Sequence, residues 1–229
     1  VNEQQARSTL SRMGWLSRMP ADFREAVLAL LVVRAHPPDT SFILAGDDGG
    51  GLWAVIHGQA DLTSGNSTAD SPPAHIGHAG SWWGPAPLFD RPRIASMTTR
   101  SEAILGQVPL PVMRQLLTMN PSWWRHIGDL VLDHADLAAG GLSDLLIPDS
   151  RRRCIAVMLR LCDCRRRDPD RPSPWGVTLP QEHLAEMANL SRQTVGPLLR
   201  DLATEELIEL HYRGLTLRDP EKLRKIVDE

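Results

Sequence analysis

Residues Thr178 to Leu202, TLPQEHLAEMANLSRQTVGPLLRDL, constrain the fold more than any other stretch. Val195, Leu198, Leu199 and Leu202 follow the i, i+3, i+4, i+7 spacing of a helix with one buried face. Ser191, just before them, is a good N-cap, because its hydroxyl can accept from a free backbone N–H. A first short helix is expected to start at Thr178, with Gln181 three residues on to complete a capping box. Pro180 then falls in the first turn, where a missing N–H costs nothing. Ala188-Asn189-Leu190 breaks the two helices apart. On the second helix, the face opposite the apolar one carries Gln193, Pro197 and Arg200, flanked by Arg192, Thr194 and Gly196. Amide, hydroxyl and guanidinium groups at the exposed start of a short helix are what major-groove base reading requires. Two short amphipathic helices also occur in bundles that never meet DNA, so periodicity alone leaves both readings open.

The residues that follow favour DNA. Ile208-Glu209-Leu210-His211-Tyr212 and Leu215-Thr216-Leu217 alternate apolar and polar around Arg213-Gly214, which predicts a hairpin with its turn there. A helix-turn-helix followed by a hairpin is a winged form, whose Arg213 or Arg218 can reach phosphates. Charge is divided in the same sense. Residues 1–149 hold ten Lys and Arg against fifteen Asp and Glu, a net of −5, whereas residues 150–229 hold fifteen against thirteen, a net of +2. The basic balance therefore sits on the segment that would meet phosphates.

Ahead of this segment the texture changes twice. Leu16, Phe23, Val27, Leu30 and Leu31 predict helix over residues 1–35, with Pro20 opening a helix at Ala21-Asp22. Nine of the 17 glycines then fall between Gly46 and Gly84, among short apolar runs at Phe42–Leu44, Leu52–Ile56 and Ala60–Leu62. Frequent turns between short strands predict an antiparallel roll, with further strands at Ala95–Arg100 and Ala103–Val108. Thr63 to Pro73 reads as an exposed loop. After Pro109 a short helix is expected to stop near Asn120-Pro121, followed by a long one from Ser122 to Leu146. Ile127, Val131, His134, Leu137 and Leu145 roughly keep the seam of a paired helix, interrupted at Gly140-Gly141. A seam of this kind suits either a dimer contact or packing within a domain, and the dimer is favoured because helix-turn-helix proteins read twofold sites as pairs. Ile147-Pro148-Asp149-Ser150 is the natural hinge. Beyond it Ile155, Met158, Leu159 and Leu161 predict a further helix, and Arg165–Arg171 a solvated charged loop.

The expected fold is therefore α+β. An N-terminal antiparallel β-roll (jelly-roll-like) with flanking helices spans 1–120, a long dimerisation helix 121–147, and a C-terminal winged helix-turn-helix 148–229. With 42% hydrophobic and 23% charged residues, a packed soluble core is expected. No apolar run reaches a membrane span and no signal-peptide pattern opens the sequence, so no membrane partner and a cytoplasmic location are expected.

This order of parts resembles the Crp/Fnr family of bacterial transcription regulators. The resemblance is carried by Gln181–Met187, Leu190–Gly196 and Leu198–Leu202, and in the roll by Gly46–Gly58, Gly80-Ser81-Trp82-Trp83-Gly84 and Leu88-Phe89. It implies a homodimer on double-stranded DNA, with RNA polymerase and a small-molecule effector as further partners. Arg192 and Gln193 would meet base edges, and Thr178, Gln181, Ser191 and Thr194 would have phosphate or support roles. Pro197 departs from the family pattern. It removes one backbone bond, presses on the Gln193 carbonyl, and is expected to bend the helix and change its base preference.

The effector site departs too. Cyclic-nucleotide-binding members hold the ribose with a glutamate just after a glycine, but here Gly84 is followed by Pro85. Their Arg-Ser pair is replaced by Arg93-Ile94-Ala95-Ser96, and Trp82 and Trp83 flank the same region. Trp82, Trp83, Gly84, Arg93, Ala95 and Ser96 are thus the candidate effector residues. Arg93 is read as a structural charge, and cAMP and cGMP are expected to bind poorly or not at all. The alternatives are a cAMP-responsive regulator with Arg93 as phosphate anchor, or a ligand- or protein-interaction module that does not bind DNA.

No catalytic constellation is present in the sequence: there is no nucleophile–base pairing, no phosphate loop and no metal motif. Cys154, Cys162 and Cys164 read as reduced core or surface thiols, and residues 1–153 have no cysteine for an iron–sulfur cluster. His75-x-x-His78 lies in a loop whose spacing sets no geometry, and His57, His126 and His134 add none. No metal or cofactor is predicted.

Overall fold

The computed structural model describes residues 3–65, 71–165 and 175–229. Residues 166–171 of the charged stretch and the centre of the Thr63–Pro73 loop lie outside them. The chain forms two compact units, Val1–Ala135 and Asp136–Glu229.

The first unit opens with α1 (Glu3–Arg12), α2 (Gly14–Ser17) and α3 (Ala21–Ala29). Pro20 stands just before α3, where its fixed φ costs nothing. Helix was expected to continue to residue 35, but the chain turns at Leu30 and enters β1 (Val32–His36). The β-branched pair Val32-Val33 suits a pleated strand better than a helix. Seven more strands follow: β2 (Ser41–Ile43), β3 (Leu52–His57), β4 (Ala60–Ser64), β5 (His75–Gly77), β6 (Trp82–Trp83), β7 (Ala95–Thr99) and β8 (Ala103–Val108). They form two antiparallel sheets, ordered β1-β8-β3-β6 and β2-β7-β4-β5. Thr63 and Ser64, expected in the loop, instead pair with Ser96 and Ala95.

Alternation along β3 decides which side each residue serves. Leu52, Ala54 and Ile56 pack with Trp15, Leu16, Phe23, Val27, Leu117, Ile127 and Leu130 in one apolar core. Trp53 points the other way, where its ring lies 5.4 Å from that of Phe42 on the second sheet. Each fully buried Leu or Phe in such a core contributes roughly 2 kcal/mol of transfer free energy.

After the roll come α4 (Leu110–Met119), a 3-10 turn (Pro121–Trp123) and α5 (Trp124–Leu145). Two residues of the expected seam do not face outward. Ile127 is fully buried in the apolar core. His134 stacks on Trp83, with ring centroids 4.7 Å apart and planes 9° from parallel. Apolar residues at heptad spacing can serve an intradomain core as readily as a partner helix, and here the roll claims them. What α5 leaves outward is a neighbouring row: Trp124, Gly128, Val131, Ala135, Ala138, Leu142 and Leu145, all but half-buried Gly128 exposed. Gly140-Gly141 does not interrupt the helix. A Cβ on Gly141 would stand 2.5 Å from Nη1 of Arg160, so this glycine makes room for a guanidinium.

The second unit continues with α6 (Ser150–Leu161), β9 (Trp175–Thr178), α7 (Gln181–Met187) and α8 (Arg192–Thr204). It ends with β10 (Ile208–His211), β11 (Gly214–Leu217) and α9 (Pro220–Asp228). Asp149 caps α6 by accepting from the Arg152 N–H at 2.8 Å. The three strands form one antiparallel sheet ordered β10-β11-β9. Cys154, Cys162 and Cys164 are buried thiols that form no disulfide. Burial pushes the Cys154 thiol up to about 12, which makes it an inert core residue.

Candidate DNA-binding surface

Two short helices meet at a tight break, as the periodicity predicts. Asn189 adopts the left-handed conformation (φ 49°), which asparagine tolerates better than most residues. The break is closed by the Leu190 N–H donating to Ala185 O at 2.8 Å. Arg153 of α6 reaches across to the Ala188 carbonyl at 2.9 Å and also binds the Ile147 carbonyl at 2.7 Å. Ser191 caps α8, its Oγ accepting from the Thr194 N–H at 3.1 Å, and the two hydroxyls lie 2.8 Å apart. Val195, Leu199 and Leu202 are buried and Leu198 half-buried. The start of the first helix differs from expectation. Thr178 does not cap it: Thr178 ends β9, opposite Gly214, and α7 begins at Gln181 with Pro180 in the cap position and no side-chain cap.

The opposite face of α8 is open. Arg192, Gln193, Pro197 and Arg200 are exposed, with Thr194 and Gly196 half-buried between them. Arg192 Nη1 lies 3.9 Å from the Glu182 carboxylate, with both side chains largely in solvent. A pair so exposed and so long is worth little and yields readily to a stronger anion. Gln181, Glu182, Arg192 and the wing residues Tyr212 and Arg213 line one cleft of about 400 Å3. Gln193, Thr194, Gly196 and Arg200 lie along α8 outside it.

The wing turn also differs from expectation by one residue. Its two turn residues are Tyr212 and Arg213, not Arg213 and Gly214, and His211 pairs directly with Gly214. Arg213 takes the positive φ, 54°. Gly214 is a glycine for another reason: a Cβ there would stand 2.8 Å from the Val177 carbonyl of β9. Tyr212 is 93% exposed at the wing tip, a position that apolar–polar alternation placed inside the strand. Arg218 is engaged on the wing itself by Glu209, at 2.5 Å.

In the roll, the candidate effector residues divide. Gly84 and Arg93 come together, but as structure. Arg93 is only 5% exposed. Its guanidinium donates to the carbonyls of Gly49 (2.6 Å), Gly51 (2.8 Å) and Gly84 (3.2 Å). Burial holds its pKa below the usual guanidinium value, partly offset by Asp47. Gly84 at φ 84° has no room for a side chain, since a Cβ would lie 1.9 Å from Arg93 Nη1. Ser96 Oγ accepts from the Ala45 N–H at 2.9 Å, and Ala95 pairs with Ser64. Trp82 and Trp83 are buried, and as neighbours in a strand their rings diverge. Trp82 meets Trp15 edge-on at 5.5 Å. Trp83 meets His134, whose Nε2–H donates to the Trp82 carbonyl at 2.8 Å. Desolvation is the main cause that lowers the His134 pKa, so the ring is held neutral.

Among the described residues no group of three or more His, Cys, Asp or Glu side chains could hold a metal ion, and no helix is long and apolar enough to cross a membrane.

Residues 152–226 match the Crp-like helix-turn-helix domain family. Over 210 residues the chain is 23% identical to the cAMP-activated global transcriptional regulator CRP of Haemophilus influenzae, covering 88% of this chain and 92% of that protein. The corresponding protein of Pasteurella multocida is 21% identical over 187 residues, covering 81% of this chain and 89% of that one. Among solved structures, FixK2 from Bradyrhizobium japonicum shares the fold with a TM-score of 0.65 at 14% identity, covering 85% of this chain and 96% of that one. A CRP/FNR-family transcriptional regulator from Thermus thermophilus does so with a TM-score of 0.62 at 16% identity, covering 86% and 99%.

Proposed function

We propose that the chain is a regulator of the Crp/Fnr family and that it works as a homodimer reading a twofold DNA site through α8. The observation that carries this reading is the open start of α8. Ser191 caps the helix, Arg192 and Gln193 are exposed in its first turn, and Arg192 lines one cleft with the wing residue Arg213. A guanidinium can bind guanine O6 and N7 together, and a primary amide can bind adenine N6 and N7 together. Gln181, Thr194, Arg200 and Arg213 serve the phosphates or orient the readers, Thr178 supports the wing by pairing with Gly214, and Gly196 leaves the middle of the reading face open.

Dimerisation runs along the outward row of α5 from Trp124 to Leu145. Its alternating spacings of four and three are those of a coiled-coil seam, with Gly128, Ala135 and Ala138 letting the helices approach closely. The effector is not a cyclic nucleotide. Arg93 is committed to three carbonyls, and releasing it would take a donor from each of them in a largely buried site. Pro85 occupies the position where cyclic-nucleotide binders need a carboxylate.

Selection of bound sequences from random duplex DNA by the full chain tests the reading. Enrichment of an inverted repeat with half-sites roughly 10 base pairs apart, centre to centre, is expected. A library that stays random after several rounds would remove it.

A further inference from the structure

The outward face of α8 has an unusual centre. Arg192 and Gln193 stand at its start and Arg200 at its end, but between them lie Gly196 and Pro197, which carry no side-chain donor or acceptor. Pro197 is exposed on this face, one turn after Gln193. Its position inside the helix is unfavourable, because it has no N–H to offer the Gln193 carbonyl and its ring crowds that oxygen. No packing compensates, since the buried face is made by Val195, Leu199 and Leu202. Nothing but a short guanidinium flank stands over Gly196, where a Cβ would find only Arg200 Nη1, at 3.7 Å. The pyrrolidine ring is therefore the one feature that protrudes at the middle of the reading surface.

We propose that Pro197 is a specificity-determining residue that reads the C5-methyl group of a thymine in each half-site by apolar contact. This rests on the DNA-reading role of α8 proposed above. Four residues of helix advance ~6 Å, close to two base-pair steps, so this thymine lies about two steps from the base met by Gln193. In the major groove the thymine methyl is the apolar mark that distinguishes T from the other bases. A ring of methylenes without polar atoms favours that methyl and leaves the cytosine amino group without an acceptor. The half-site is thus read by one guanidinium, one amide and one apolar surface, not by a continuous row of polar side chains.

The test uses the full chain and the duplex enriched from random DNA. Each thymine is replaced in turn by deoxyuridine, which keeps every hydrogen-bonding group and removes only the methyl. Burying one methyl group is worth roughly a fourfold change in affinity. A loss of about that size per half-site is expected at one thymine for the wild-type protein. Pro197→Gly should bind the same duplex with no methyl dependence at that position, while its dependence on the bases read by Arg192 and Gln193 is unchanged. Glycine ranks above proline in a helix interior, so loss of the methyl effect would not be a folding defect. Replacing the same thymine by 5-methylcytosine should cost less than replacing it by cytosine. The proposal is overturned if no thymine shows methyl dependence, or if Pro197→Gly keeps the wild-type dependence. If no sequence is enriched at all, the DNA-reading role itself fails, a different and earlier result.

Discussion

The Asp144 carboxylate, at the end of α5, lies 2.9 Å from the Arg160 guanidinium of α6. Asp144 is 3% exposed, and its other oxygen meets Arg165 at 3.1 Å, which in turn meets Asp228 of α9 at 3.2 Å. Gly141, one turn earlier, provides the space into which Arg160 fits. Removing the carboxylate leaves a buried guanidinium without its counter-charge. Asp144→Ala is expected to destabilise the second unit by about 3 kcal/mol, read as a lower denaturant midpoint. A change within about 0.5 kcal/mol would show the pair to be a surface-like contact.

His134 sets a pH dependence. Its folded-state pKa lies below the ordinary histidine value of 6.5, chiefly through burial, and the same direction holds for His36. The unfolded chain therefore binds protons more readily than the folded one over that interval. Stability is complete above the unfolded pKa and falls as pH drops from there toward the folded value, by at most about 1.4 kcal/mol per pH unit per histidine. Unfolding of wild type and His134→Gln compared at pH 7.5 and 5.5 should show a smaller pH effect in the variant. Equal effects would mean that His134 does not titrate on unfolding in this range.

Arg93 separates a structural charge from a phosphate anchor. Arg93 meets its carbonyls through two nitrogens of a planar fork, a span the compact ammonium of Arg93→Lys does not reproduce, and a loss of about 2 kcal/mol is expected on thermal or denaturant unfolding. Titration of the wild-type protein with cAMP to millimolar concentration should give no saturable change in tryptophan fluorescence. Saturation at micromolar cAMP that disappears in Arg93→Lys would make Arg93 the anchor.

Leu142 tests the seam. It is 63% exposed on the outward row of α5, so Leu142→Glu should cost the isolated protomer little. In a paired helix it would bury an unpaired charge in each chain. Sedimentation velocity should show the wild type as a dimer and Leu142→Glu shifted to monomer. A wild-type monomer, or a variant still dimeric at micromolar concentration, would move the interface elsewhere.

Much of this architecture was legible because it depends on local spacing. The face of α8, its Ser191 cap and the strands β3, β4, β7 and β8 all follow from residues close in sequence. Other features depend on partners far away along the chain. Arg93 finds carbonyls nine, 42 and 44 residues distant, which no local pattern announces. Ile127 and His134 share the apolar spacing of a seam, but the roll, through Trp83 and the helical core, decides that they face inward. Gly214 looks like a turn residue, yet the close approach of β9 requires it and Arg213 makes the turn. β5 and β6, three and two residues long, are too short for any periodicity to register.

The central claim is that the start of α8 reads bases, and Arg192 is the residue on which it rests. Affinities of wild type and Arg192→Ala should be measured for the selected duplex and for random duplex DNA at one salt concentration. The expected result is a loss of about 1–3 kcal/mol on the selected site, with binding to random DNA almost unchanged and discrimination relaxed at one base position. Equal losses on both duplexes would contradict it, making Arg192 one more phosphate contact.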